Sequence, residues 1–238
     1  MNKPVIAANW KMNMTKKTAG ILLRKINESV SITSEVIIIP PFTLLDMAYE
    51  ILDNKIKLGA QNCYWKKSGA FTGEISPQML VDIGCKYVII GHSERRHIFG
   101  ESDALLHKKL IAAIDAGLTP IYCVGETLEE KRKGKREFVL NRQLDTINGI
   151  SSLIVAYEPV WAIGTGVAAD IATIRETIEL IKLKLKEKSV DATVLYGGSV
   201  KPDNSKEIAK QHIIDGVLVG GASLDAESFL KIIDSFKR

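Results

Sequence analysis

Eight short apolar runs are spaced along the chain, and between them the hydrophobic positions recur at helical spacing. The runs cover residues 5–9, 36–40, 57–62, 87–91, 120–124, 153–158, 193–197 and 216–219. They are apolar nearly throughout rather than alternating, which is the pattern of parallel strands covered on both faces. The stripe Ile171, Ile174, Ile178, Ile181, Leu185 predicts a helix, with Asp170 as its N-cap. Thr127 with Glu130 predicts a capping box opening a charged helix toward Gln143, and Asn204 with Glu207 repeats that spacing. Ser76-Pro77 predicts an N-cap followed by proline at the first helical position. Eight strand–helix units fit a closed (β/α)8 barrel better than an open sheet, and no Pro-, Gly- or Ser-rich linker divides them. The expectation is one α/β domain spanning residues 1–238.

Composition narrows the classes without changing that picture. The chain has 238 residues, 46% of them hydrophobic and 25% charged, ample for a sizeable core. A net charge of +4 suits an anionic substrate. The most polar stretch, residues 129–137, reads as a solvated helix face; no aromatics interleave its charges, so no nucleic acid is expected. Cys63, Cys85 and Cys123 have no metal-ligand spacing and make no disulfide framework. Cys123 sits inside an apolar run, without an assigned base beside it, and reads as a core residue. No apolar run approaches the roughly 20 residues of a membrane span, and the first residues lack the apolar region of a signal peptide. The expected location is the cytoplasm.

In such a barrel the working residues sit at the carboxyl ends of strands. Those positions hold Asn9 and Lys11 after the first run, His92, Ser93 and Glu94 after the fourth, and Glu158 after the sixth. Gly197-Gly198-Ser199 follow the seventh and Gly220-Gly221 the eighth. A carboxylate at the end of a buried strand is half out of water, so its pKa can rise and it can act as a base. The residues after Glu158, through Gly164-Thr165-Gly166, have the makeup of a loop that closes over a site. His92 precedes a turn whose dipole disfavours imidazolium if Ser93 opens a helix. The glycine pairs let backbone N–H groups approach an anion, with Ala222-Ser223-Leu224 as a short helical turn beside them, at the place where barrels often hold phosphate.

Asn9-Trp10-Lys11-Met12-Asn13, Gly59-Ala60-Gln61-Asn62, Gly69-Ala70-Phe71-Thr72-Gly73-Glu74 and Gly91-His92-Ser93-Glu94-Arg95-Arg96, with the stretches 156–166, 196–200 and 216–224, resemble the blocks of the triosephosphate isomerase family in family order. The resemblance spans the chain. It implies interconversion of dihydroxyacetone phosphate and D-glyceraldehyde 3-phosphate through an enediolate, in glycolysis and gluconeogenesis, with no metal and no organic cofactor. Glu158 then resembles the base, His92 the neutral electrophile and Lys11 the substrate-holding cation, so that Lys11, His92 and Glu158 form the catalytic set. Asn9 lines the same site, and Glu94 supports the lysine and histidine. Gly164, Ser199, Gly220 and Gly221 resemble the phosphate-gripping backbone.

The resemblance further implies a homodimer through loop 63–74, with Thr72 reaching the partner's site near Asn9 and His92 and with Tyr64, Trp65 and Phe71 too apolar to stay exposed on a monomer. The alternative weighed is a non-catalytic phosphosugar-binding or interaction protein, which would need no base. Three departures stand out. Val167 follows Gly166 where the family commonly has lysine, Met14 follows Asn13 where a small residue is frequent, and the connections around 147–152 and 189–192 are short.

Overall fold

Each of the eight apolar runs forms a strand, and the eight close in sequence order into one parallel barrel. The computed structural model describes residues 3–30, 33–163 and 169–237. The strands are β1 Val5–Asn9, β2 Glu35–Ile39, β3 Ile56–Ala60, β4 Tyr87–Ile90, β5 Thr119–Val124, β6 Ser152–Tyr157, β7 Asp191–Tyr196 and β8 Gly216–Val219. Most expected runs end one or two residues beyond the paired register. Glu158 and Gly197 still donate into their neighbours, to Val124 O (2.7 Å) and Tyr157 O (2.8 Å), as the chain turns out of the ladder.

Strand alternation, hidden in the apolar sequence, separates two cores. Val5, Ala7, Ile37, Ile39, Ile89, Ile121, Cys123, Ile154, Ala156, Leu195 and Leu218 form the inner one. The intervening residues, such as Ile6, Ile38, Val88, Tyr122, Val155 and Val217, pack under the helices. Burying each large aliphatic side chain contributes about 1.5–3 kcal/mol. Continuing the inner parity by one step gives Asn9 above Ala7, Gly125 above Cys123, Glu158 above Ala156, Gly197 above Leu195 and Gly220 above Leu218. The barrel's filled interior is thus the floor on which the polar residues stand.

The helices are α1 Lys16–Ser29, α2 Leu45–Ile51, α3 Pro77–Asp82, α4 Ser93–His97, α5 Asp103–Asp115, α6 Leu128–Arg132, α7 Arg136–Asp145, α8 Ile171–Glu187, α9 Pro202–Ala209 and α10 Ala226–Ser235. Ser76 and Asp170 cap α3 and α8 as expected. The Thr127–Glu130 capping box forms both of its bonds, 3.2 and 2.8 Å, but its helix ends at Arg132. Gly134 adopts φ 66, a left-handed turn, and α7 carries the chain on through Gln143. Asn204 is not an N-cap. It is the third residue of α9, and its Oδ1 accepts the N–H of Lys201 (2.8 Å). Met14 stands at φ 78, a conformation in which a small residue is less strained than methionine.

The base of loop 63–74 is closed by Tyr64 N–H donating to Ile75 O (2.8 Å). Tyr64 and Trp65 are half-buried rather than exposed: Tyr64 packs against Trp65 and Phe71 with ring centroids 5.7 and 4.8 Å apart. Phe71 is exposed. Behind this loop, buried Lys109 donates to Glu101 Oε1 (2.6 Å) and Asn62 Oδ1 (2.8 Å), and Arg95 Nε donates to the same Glu101 oxygen (2.6 Å). This network ties the end of β3 to α4 and α5. The three cysteines are free and buried.

Candidate active site

The parity of β1 and β6 delivers Asn9 and Glu158 to one end of the barrel, and the turns after β1 and β4 add Lys11 and His92. Together with Ser199, Gly220 and Gly221 they line an open cleft of about 390 Å³. Its remaining lining includes Trp10, Asn13, Gly197, Gly198, Lys201 and Ala222. Glu94 stands behind it, and Thr72 is exposed on loop 63–74 and does not line the cleft of its own chain. Gly164, with the rest of the expected lid and Val167, lies outside the described residues.

Lys11 occupies φ 51, a left-handed conformation that costs a non-glycine residue about 1–3 kcal/mol. Three bonds hold it there or aim its side chain. Its N–H donates to Asn9 Oδ1 (3.0 Å), its carbonyl accepts from Gln61 Nε2 (2.8 Å), and its Nζ donates to Glu94 Oε1 (2.7 Å). Gln61 also reaches Ile39 O (3.2 Å), bracing the β1 turn from the neighbouring strands.

His92 is the N-cap of α4: its Nδ1 accepts the N–H of Glu94 (3.3 Å). That bond assigns the ring proton to Nε2, which lies 3.1 Å from Glu158 Oε1. The other Glu158 oxygen accepts the N–H of Ser93 (2.9 Å). A neutral imidazole therefore satisfies both of its contacts. Burial and Lys11 disfavour the imidazolium, yet the Glu158 carboxylate, with Glu94, outweighs them and raises the His92 pKa above its ordinary 6.5, the reverse of the effect expected from the turn's dipole. For Glu158, burial pushes the carboxyl up, but His92, the Ser93 N–H and Lys11 outweigh it. The result is the reverse of the rise expected from a buried strand end: Glu158 is held below its ordinary 4.5 and rests as a carboxylate.

Backbone forms the opposite side. Gly197 cannot carry a side chain without crowding Glu158, since a Cβ there would lie 3.0 Å from Glu158 Cγ. Gly221 opens the expected helical turn, Gly221–Leu224, and a Cβ there would meet nothing within 4 Å, so this face is open to the cleft. Ser223 secures the turn by donating its N–H (2.9 Å) and Oγ (2.7 Å) to Gly220 O. Asn204 Nδ2 donates to Ser199 O (3.0 Å), so its place inside α9 fixes the β7 loop.

Sequence reading passed over Gln61 and Glu126. Gln61 is an amide directly after β3, a signal of the same kind as Asn9 at the end of β1. Buried Glu126 accepts from Tyr157 Oη (3.2 and 3.3 Å) and Trp161 Nε1 (3.0 Å), anchoring the Val160–Ala162 turn that follows the base. A fully buried carboxylate among aromatics leaves no trace in hydropathy. Burial pushes the Cys63 and Cys85 thiols up to about 12, and Cys123 well above its ordinary range, so none is a ready nucleophile. Among the described residues, no group of three or more His, Cys, Asp or Glu is placed to hold a metal ion, and no helix is long and apolar enough to cross a membrane.

The family model described as Triosephosphate isomerase matches residues 4–236. A protein named triosephosphate isomerase from Aquifex aeolicus is 48% identical, over 98% of this chain and 99% of its own. One of the same name from Chloroflexus aurantiacus is also 48% identical, over 98% and 99%. A third, from Thermoanaerobacter pseudethanolicus, is 45% identical over 98% of this chain and 100% of its own.

Proposed function

The chain belongs to the triosephosphate isomerase family, and on that premise we propose how its cleft interconverts dihydroxyacetone phosphate and D-glyceraldehyde 3-phosphate, an aldose–ketose isomerisation of glycolysis and gluconeogenesis. The observation that supports the scheme is the convergence of a carboxylate, an imidazole and an ammonium on one cleft whose far side is bare backbone. The substrate phosphate is gripped by backbone N–H groups of Ser199, Gly220 and Gly221, and the carbonyl end lies among Asn9, Lys11 and His92.

Glu158 leaves the Ser93 N–H and His92 and takes a proton from the carbon beside the carbonyl. The electron pair moves onto the carbonyl oxygen, giving an enediolate. His92 Nε2–H donates to that oxygen, and the Lys11 ammonium offsets its charge. His92 passes its Nε2 proton to that oxygen and takes the proton of the neighbouring hydroxyl, while Glu158 returns its proton to the carbon that bore the carbonyl; the new carbonyl forms on the adjacent carbon, so the product is an isomer and nothing else is consumed. Of the groups that hold the Glu158 pKa down, it abandons its contacts with His92 and the Ser93 N–H, and Lys11 remains. Burial remains and raises its basicity when a base is required. Oriented donors at a developing charge each account for about 2.7–4 kcal/mol of the barrier. Glu94 is a positioning residue, since it holds Lys11 at 2.7 Å and approaches His92 Nδ1 at 3.5 Å.

Residues 1–238 act as one catalytic domain, in the cytoplasm, without a cofactor, and with neither nucleic acid nor membrane as partner. A second copy covers loop 63–74. Exposed Met12 and Phe71 sit in turns after β1 and β3, and exposed Ile98 and Phe99 follow α4; a dimer would remove them from water. Thr72 then enters the partner's cleft near Asn9 and His92. Sedimentation should give twice the chain mass; a monomer with full turnover would refute this arrangement.

The test of the chemistry is a coupled assay with D-glyceraldehyde 3-phosphate. Glu158→Gln should lower turnover by about 10²–10⁴-fold with circular dichroism unchanged. Wild-type turnover in the folded variant would remove Glu158 from the role of base.

A further inference from the structure

The paired register of β5 and β6 stops at Val124↔Tyr157, one residue short of Gly125 and Glu158. Glu158 is nevertheless tightly seated against β5. Its N–H donates to Val124 O (2.7 Å), and two residues later Val160 N–H donates to Glu126 O (3.1 Å). Gly125 lies between those two carbonyls and presses on the base itself: a Cβ there would stand 1.8 Å from the Glu158 carbonyl oxygen. Wherever the Gly125 backbone sits, the Glu158 backbone must follow.

Beyond the last registered pair, the bonds to Gly125 come from a helix. Gln143 of α7, 1% exposed, accepts the Gly125 N–H through Oε1 (2.7 Å) and donates Nε2 to the Gly125 carbonyl (3.2 Å). Its amide thus mimics a neighbouring strand. Gln143's own carbonyl accepts the Tyr122 hydroxyl (2.8 Å), and that hydroxyl accepts from Arg96 Nη2 (2.9 Å). Arg96 Nε donates to Gly91 O (2.8 Å), at the turn that presents His92. One chain of hydrogen bonds therefore runs behind the cleft from the carbonyl of Gly91, the residue before His92, to Gly125, which packs against the Glu158 backbone, without touching the cleft.

We propose that Gln143 is a positioning residue for Glu158, acting through the backbone of Gly125 and linked through Tyr122 and Arg96 to the turn that carries His92. The inference rests on the reading of Glu158 as the base. A displacement of tenths of an ångström in a base set for proton transfer lowers the rate without loosening a phosphate held on the far side of the barrel.

Gln143→Met preserves length and apolar volume and removes both amide contacts. In the folded variant kcat should fall about tenfold or more while KM stays within about twofold. The acid limb of the kcat/KM profile should move to higher pH, because Glu158 keeps its burial but loses the geometry of the Ser93 and His92 contacts. Wild-type kcat, or a lower kcat with an unmoved acid limb, overturns the proposal, the second outcome being a purely structural role. If Gln143→Met fails to fold, Tyr122→Phe decides in the same way. It cuts the link between Arg96 and Gln143, and the same paired change in kcat and pH limb is expected, with wild-type behaviour overturning the inference. Glu158→Gln is assayed alongside. Full turnover there sinks the base assignment, whereas an inactive Glu158→Gln beside a wild-type-like Gln143→Met sinks this inference alone.

Discussion

The two sides of the cleft are built on opposite plans. On the β1, β4 and β6 side, side chains do the work. Lys11 sits at φ 51 and is held by bonds to Asn9, Gln61 and Glu94, while His92 and Glu158 bond one another 3.1 Å apart. On the β7 and β8 side the chain removes side chains, with Gly197, Gly198, Gly220 and Gly221 interrupted by Ser199. In the proposed scheme the first plan places charge where charge develops, and the second lets backbone N–H groups come close to an anion. Strain and buried ionisable groups are confined to the side where the chemistry is read, and the gripping side is cheap to build. Gly197 joins the two plans, since its missing Cβ leaves room for Glu158.

The largest effect that would test this division, after loss of the base, is at Lys11. Lys11→Met should lower kcat/KM by about 10²–10³-fold, measured by coupled assay, with the Tm little changed, because methionine leaves the backbone at φ 51 and the lost Lys11–Glu94 pair is partly exposed. A loss of under tenfold would mean that the charged side is not decisive. A pair of alanine substitutions sharpens the comparison. Gly221→Ala puts a methyl into the open cleft, so KM should rise about tenfold, equivalent to about 1.4 kcal/mol, with kcat retained. Gly197→Ala pushes on Glu158 Cγ, so kcat should fall about tenfold with KM little changed. Interchanged outcomes would dissolve the distinction between the sides.

The smallest effect is a pH shift. The acid limb of kcat/KM follows protonation of Glu158 in the free enzyme. His92 is one of the groups holding that pKa below 4.5 against burial. His92→Gln removes it, so the limb should persist and move to higher pH, on top of whatever rate is lost. A limb that vanishes, or moves to lower pH, would show that protonation of the histidine controls the rate.

Much of this was legible in sequence because the barrel repeats one simple unit eight times. Apolar runs marked all eight strands, and Asp170, Ser76 and Thr127 marked helix starts through local bonds that depend on a few adjacent residues. The site residues were legible where a polar residue directly follows an apolar run, as at Asn9, His92 and Glu158. What sequence could not give depends on distant partners. The Glu158 pKa goes down rather than up because a turn some sixty-five residues earlier supplies His92 and then the Ser93 N–H against it. Gln143 looked like one polar residue on a charged helix, and its bonds to Gly125 require the packed fold. Asn204 matched a capping spacing but serves from inside its helix, since Pro202 had already begun it.

The closed ring has a consequence for how the protein fails. A sheet with no free edge offers no template for a second chain to add to, so strand-to-strand aggregation must wait until the ring has parted somewhere. Its seams are unequal. Adjacent strands share six registered pairs between β6 and β7, but two between β3 and β4 and two between β7 and β8. Shelf life is therefore governed by the opening rate of the thinnest seams, one of which lies beneath the glycine-rich grip. A ligand that bridges β7 and β8 there would act as a clasp, slowing aggregation as well as occupying the site.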